Sequence, residues 1–197
     1  MITIARTTIA ATILSFAATA SADMSEMPSG AYGLDKTHAY ITFSYSHLGF
    51  SNPHVGFDNF DATLDLDSAN PENSKINVVI DAASINSRVA KFDEHLNGDD
   101  FFDTANHPSI SFDSTSVTKT GDNTFDVTGD LTIKGMTKPV TLAATINKAA
   151  NHPMRKVPTI GISASTTLLR SDWGLGKFAP NVGDEVTIDI QVEMPQN

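Results

Sequence analysis

The sequence predicts an all-β protein: an antiparallel barrel or sandwich with one helix inserted. Three observations carry this. Apolar and small polar residues alternate with a period of two in run after run, as half-buried strands require. Most runs are joined by short turns rich in Gly, Pro, Asn and Asp. The period changes to that of a helix between only one pair of runs, whereas a parallel α/β sheet would need a helix of about 10 residues or more between most strand pairs.

The N-terminus reads as a leader. Arg6 precedes an uncharged, largely apolar run, Ile9 to Ala18, and Ala20-Ser21-Ala22 supplies the small-x-small pattern that signal peptidase accepts. The run falls short of the roughly 20 residues needed to cross a bilayer, and no other stretch resembles a membrane span. Cleavage before Asp23, export, and a single domain over residues 23–197 are therefore expected.

A short first strand is expected at Ala31–Leu34. Ile41, Phe43 and Tyr45 then mark a strand, and Phe60, Ala62, Leu64 and Leu66 mark a second, with which the first should pair. Val55 and Phe57 are out of phase with that second run, so an extra residue near Asp58-Asn59 reads as a bulge bending one long strand. After the turn cluster Ser68–Asn73, Ile76, Val78 and Ile80 make a third long strand. Between Ser87 and Asp103, Val89, Phe92 and Leu96 fall at helical spacing and Gly98 stops the helix. The adjacent Phe101-Phe102 sit among three acids, so at least one ring must turn inward.

Ile110 and Phe112 open a strand that the turn Gly121-Asp122-Asn123 joins as a hairpin to Phe125, Val127, Gly129, Leu131 and Ile133. Lys134-Gly135 turns again into Val140, Leu142, Ala144 and Ile146. Ile160 to Leu168 follows the loop His152-Pro153, and Val186 to Met194 is the last strand. From Tyr40 onward this makes about eight strands, whose closed sheet would enclose an interior either packed solid or shaped for a ligand.

Composition removes several functions. A formal charge of −10 repels nucleic acid and anionic membrane surfaces. Cysteine is absent, which excludes thiol chemistry. The six histidines are scattered without His-Glu-x-x-His spacing, so no metal or cofactor is expected. No Gly-x-Ser-x-Gly elbow, P-loop or dinucleotide glycine pattern occurs. Asp93, Glu94, Asp99, Asp100 and Asp103 could form a paired-carboxylate hydrolytic site, but a solvated acidic helix face is the favoured reading.

With the strands placed, several segments resemble the YceI-like family of exported lipid-binding proteins. They are Asp35-Lys36-Thr37-His38, His47-Leu48-Gly49-Phe50, Gly56-Phe57, Asp93-Glu94-His95-Leu96, Asp100-Phe101-Phe102-Asp103 and His107-Pro108-Ser109-Ile110-Ser111-Phe112. Farther on come Gly129 to Leu142, Arg170-Ser171-Asp172-Trp173-Gly174 and Gly183-Asp184-Glu185-Val186. Together they span essentially the whole exported chain. The resemblance implies an eight-stranded lipocalin-like β-barrel, residence in a bacterial periplasm, and an elongated apolar cavity holding an isoprenoid chain. Trp173 stands where the family generally has Phe, Phe92 where Arg is common, and Pro53 in the first turn; these departures bear on the cavity mouth and the head group.

From the residues alone, the aromatic set reads as a packed core, since strands bury one apolar face in any case. The resemblance turns it into a ligand lining: Phe43, Tyr45, Leu48, Phe50, Phe57, Phe60, Phe101, Phe102, Phe112, Phe125, Leu131, Met136, Arg170 and Trp173. His47 and His54 flank the first turn and could donate to a quinone carbonyl or phosphate, or serve as surface or cap residues. Arg170 could pair with an anionic head group, or with Asp172. The expectation is a non-enzymatic periplasmic binder of a long polyisoprenoid or isoprenoid quinone, for transport or storage, with the lipid as its only partner and a homodimer allowed. The competing readings are a lipid hydrolase or isomerase using the same cavity, and a stress-related structural protein with a closed core.

Overall fold

The computed structural model describes residues 24–197; the expected leader and its cleavage site lie outside them. Among the described residues, eleven strands form one antiparallel sheet. They are β1 (Gly30–Gly33), β2 (Ala39–His47), β3 (His54–Phe57), β4 (Phe60–Leu66), β5 (Lys75–Asp81), β6 (Ile85–Asn86), β7 (Ser109–Lys119), β8 (Thr124–Ile133), β9 (Met136–Asn151), β10 (Pro158–Leu169) and β11 (Val182–Pro195). One α-helix, α1 (Ala90–Asn97), lies between β6 and β7. The order across the sheet is β1-β4-β5-β7-β8-β9-β10-β11-β2-β3-β6.

The sheet curls into a barrel, and the chain itself joins its two edges. β3 runs on into β4 through Asp58-Asn59, and residues 82–84 carry β5 into β6, which pairs with β3. Backbone bonds stitch this corner: Asp58 N–H donates to Ser84 O at 3.0 Å, and Asp81 N–H to Asn59 O at 3.0 Å. At the far end Asn197 N–H donates to Ala31 O at 3.0 Å, tying the C-terminus to β1.

Alternation translates directly into burial. Along β4, Phe60, Ala62, Leu64 and Leu66 are buried and the residues between them exposed. The Lys134-Gly135 turn has φ of 50° and 71°, the two positive values a two-residue type I′ hairpin needs, and it sets the β8–β9 register at Ile133 opposite Met136. α1 ends at Gly98, as expected, with Leu96 buried.

Three expectations are corrected. The strand of Ile41, Phe43 and Tyr45 pairs not with β4 but with β3 and β11, while β4 pairs with β1 and β5. The phase change at Asp58-Asn59 does keep Val55, Phe57 and Phe60 all buried, but it is a break at which the chain changes partners, not a bulge within one strand. Alternation fixes the face a strand buries and leaves its neighbour undetermined. The count is likewise eleven rather than eight, through β1, the two-residue β6, and the division of β3 from β4.

The barrel's long strands run between two different ends. Four connections gather at one: residues 48–53, 87–108 with α1, 134–135 and 170–181. At the other, β1 and the C-terminus close over a solid core that includes Met27, Tyr32, Leu64, Leu66, Val127, Ile146, Ile160 and Met194. Tyr32 and Ile160 are 0% exposed.

Candidate apolar cavity

The interior near α1 is hollow. A cavity of about 560 Å³ opens there, within the 300–1,000 Å³ usual for small-molecule sites. It is walled by the inward positions of successive strands: Phe43 and Tyr45 of β2, Phe57 of β3, Phe112 of β7, Leu131 and Ile133 of β8, Val140 and Leu142 of β9, Leu168 of β10, and Ile188 and Ile190 of β11. Phe101 and Phe102 close in from the segment after α1.

Three rings form its aromatic centre. Phe57 and Phe102 meet edge to face at 5.8 Å, and Phe43 lies 6.0 Å from Phe57 and 6.3 Å from Phe102. Such tilted pairs add modestly to the stabilisation from burial and keep the rings in defined orientations. Where hollow gives way to solid, Phe112 lies across Gly129. A β-carbon on Gly129 would come within 2.5 Å of the Phe112 ring and 2.6 Å of Asp113 O, so only glycine admits the ring. On β8, Leu131 beyond this point lines the cavity and Val127 before it belongs to the solid core.

Polar groups in the lining are few: Tyr45, His47, His54, Ser87, His95, Thr166 and Arg170. His95 projects from α1 into a ring of aromatics, 4.9 Å from Phe101, 6.4 Å from Phe92 and 6.3 Å from Phe178. Burial raises the Tyr45 phenol above its ordinary value, so it stays a neutral donor.

Arg170 is the one buried cation of the site. Its Nε donates to Gly183 O at 2.8 Å, one terminal nitrogen to Val182 O at 2.9 Å and the other to Leu175 O. Burial lowers its pKa, opposed by the negative charge of Asp184. The guanidinium therefore braces residues 170–183. It does not meet Asp172, which instead pairs with Lys138 at 3.2 Å.

Of the residues singled out in the sequence, Phe43, Tyr45, Phe57, Phe101, Phe102, Phe112, Leu131 and Arg170 line the cavity. The other six are placed elsewhere. Phe125 is buried near the closed end and Phe60 on β4. Trp173 is buried, its indole N–H donating to Leu131 O at 3.3 Å, so it buttresses the wall from behind. Met136 sits at the β8–β9 turn beside Gly174, and Leu48 and Phe50 project into solvent. The aliphatic wall of Leu168, Ile188 and Ile190 and the α1 face Phe92-His95-Leu96 also line the cavity and lie outside the set that the resemblance implies. The i, i+3, i+4 spacing of that α1 face was the available signal. Phe178 and Leu175 lie in an aperiodic loop and gave none.

Among the described residues, one group could offer three metal ligands: Asp35, His38 and Glu193 have ligand atoms within 4.8 Å of one another. It lies at the closed end, away from the cavity. Asp35 already accepts from Thr37 Oγ1 at 2.7 Å, makes a 3.0 Å contact with His38 Nδ1, and pairs with Arg155. The His38 contact, with the Thr37 bonds, holds the Asp35 carboxyl far below its usual range, and Asp35 raises His38 in turn.

Residues 32–194 match the model of the YceI-like domain. A UPF0312 protein of Pseudomonas putida is 40% identical over 164 residues, covering 82% of this chain and 84% of that protein. The Campylobacter jejuni YceI protein superposes with a TM-score of 0.71 at 30% identity, over 77% of this chain and 90% of its own. A polyisoprenoid-binding domain from Saccharophagus degradans, implicated in plant cell wall breakdown, superposes with a TM-score of 0.64 at 14% identity, over 84% and 98%, and shows the shared fold. Among the described residues no helix is long and apolar enough to cross a membrane.

Proposed function

The chain belongs to the YceI-like family, and from that premise we propose that it binds a long isoprenoid lipid, a polyprenol or an isoprenoid quinone, within the barrel. The observation that carries this reading is the apolar cavity of about 560 Å³, enclosed by strands whose other halves are packed solid. Hydrocarbon entering such a space leaves water for a surface with almost no competing polar groups, gaining roughly 25 cal/mol per Å² buried before chain ordering is subtracted.

The polar groups suit recognition at the mouth. His47 and His54, on facing strands where β2 ends and β3 begins, offer imidazoles to a carbonyl or hydroxyl head group, and Tyr45 adds a phenol. Arg170 spends its N–H groups on backbone carbonyls, which favours a neutral head group over an anionic one. Binding is favoured over catalysis by the partners these groups keep: the Ser87 hydroxyl, for example, donates to Val89 O at 3.2 Å and not to an imidazole. The polyisoprenoid-binding domain of the same fold accords with this reading. Export through the N-terminal leader would place the protein in the periplasm, carrying or storing the lipid.

Native mass spectrometry of the purified protein, followed by organic extraction, tests the reading. Recovery of a prenyl lipid in stoichiometric amount is the expected result. Conversion of that lipid to a new species would establish an enzyme instead, and a protein that neither retains nor takes up prenyl lipid would overturn the binder.

A further inference from the structure

The large apolar side chains that remain exposed are gathered at the mouth. Phe50 is 89% exposed, Leu48 52%, and Val89 and Phe178 also stand mostly in solvent, four residues around one opening, whereas among the described residues Tyr40 and Met154 do so at the closed end. Leu48 and Phe50 are held out by a tight turn: His47 N–H donates to Ser51 O at 2.8 Å and Phe50 N–H to His47 O at 3.0 Å. Leu48 adopts a left-handed φ of 54°, a conformation rarely accepted by a branched side chain, and nothing lies within 4 Å of a β-carbon built on Gly49. The fold thus strains its backbone to present two hydrophobic residues to solvent.

This tip continues the cavity wall. His47, Pro53 and His54, on either side of it, line the cavity, as do Val89 and Phe178 across the opening. Leu48 N–H donates to Asn181 O at 3.2 Å, fastening the tip to the segment that carries Phe178. The rim has no free excess of cations: Lys177 pairs with Asp100, the Lys134 ammonium rests on Asp99 O, and Arg88 and Lys91 stand near Asp93 and Glu94 in the chain.

We propose that the Leu48-Gly49-Phe50 tip, with Val89 and Phe178 opposite it, inserts into the surface of a zwitterionic lipid bilayer, so that cargo passes between membrane and cavity without crossing water. The proposal rests on the lipid-binding reading above. An isoprenoid dissolves in a bilayer and scarcely in water, so the route into the cavity must be covered by an apolar phase, and this rim is apolar and continuous with the lining. A chain of formal charge −10 without a basic rim gains nothing from anionic headgroups, which leaves hydrophobic insertion as the attraction.

Co-flotation of the protein with vesicles of phosphatidylcholine and phosphatidylethanolamine tests this, alongside retention of a labelled polyprenol in vesicle-free solution. Wild type should float, undiminished by high salt, and Phe50→Ser should lower the bound fraction by about tenfold, with Leu48→Ser adding to it. Both variants should retain the polyprenol in solution as wild type does, and release it to vesicles more slowly. Failure of wild type to float would overturn the docking surface whether or not polyprenol is retained. Loss of retention in Phe50→Ser would overturn it too, by making the tip part of the lipid site. Self-association through the tip, seen as a dimer that Phe50→Ser dissolves, with no flotation, would replace the bilayer with a second copy of the chain. Absence of polyprenol retention in wild type tests the lipid-binding reading separately from these outcomes.

Discussion

At the closed end of the barrel Tyr32 and Ile160 have no exposed surface, and Val127, Ile146 and Met194 around them are buried. Toward the mouth, on the continuations of four of the same strands, Leu131, Leu142, Leu168 and Ile188 face a cavity. The inward residues are of one chemical kind throughout, and the strands keep one alternation. The halves differ in what reaches the axis. At the closed end β1 inserts Tyr32, and Gly129 lets the Phe112 ring lie across the interior. At the mouth two connections are long, residues 87–108 and 170–181, and the rings of Phe43, Phe57 and Phe102 pack against one wall. A closed sheet of this size can be a core or a container, and here a few large side chains decide which it is at each level.

The largest effect expected from this contrast is on stability. Tyr32→Ala should cost about 3–5 kcal/mol, since it empties the best-packed position and removes the phenol's 2.7 Å bond to Pro28 O. Leu142→Ala, at a position that already borders empty space, should cost near or below the low end of the 2–5 kcal/mol range for such truncations. Urea unfolding of the pair checks this; equal losses would mean that the two halves are packed alike.

Gly129→Ala should come next, at about 1–3 kcal/mol, because the new methyl group meets both a ring and a backbone oxygen, and the oxygen cannot swing away. Relief by a second change, Phe112→Leu, would locate the clash at the boundary between the halves. An unchanged unfolding midpoint in Gly129→Ala would show that the ring does not hold that boundary.

The smallest effect is electrostatic and belongs to the closed end. Asp35 raises the pKa of His38, so the protonated imidazole is favoured in the folded state. Stability from this pair is fully present below the unfolded histidine value of about 6.5 and is lost as pH rises through the higher folded value. Thermal melts between about pH 6 and pH 8 should show a shallow decline that His38→Gln abolishes. Asp35, held low, works in the opposite sense, and its contribution fades only as acid protonates the carboxyl below its unfolded value of about 4. A decline of the same slope in His38→Gln would remove the pair from the account.

Much of the fold was legible in the residues. Alternation placed every long strand and its buried face, Gly98 and the Phe92/Leu96 spacing placed α1, and Lys134-Gly135 placed a hairpin. Partnership was not legible at Asp58-Asn59, because a phase change reads the same whether the chain bulges or changes neighbours. The site was half legible. Phe43, Phe57 and Phe102 enter the lining through the family resemblance, but so does Phe125, which alternates in the same way and lies in the solid half. Nothing in a local pattern reports whether the axis beside a residue is filled, since that depends on side chains from strands far apart in sequence, as Phe112 over Gly129 shows. Arg170 likewise reads in the sequence as a partner for either an anionic head group or Asp172, and its three backbone carbonyl partners, at Leu175, Val182 and Gly183, leave no local signature.

The central claim, that the hollow half holds the lipid and the solid half does not, meets its most direct test at Thr166, a small lining residue on β10. Retention of a labelled polyprenol, measured per folded molecule on Thr166→Trp and wild type, should fall by about tenfold or more in the variant while its urea midpoint changes little, because the indole fills space that the lipid would occupy. Equal retention by the two proteins, with the variant folded, would contradict the claim and place the lipid outside the barrel.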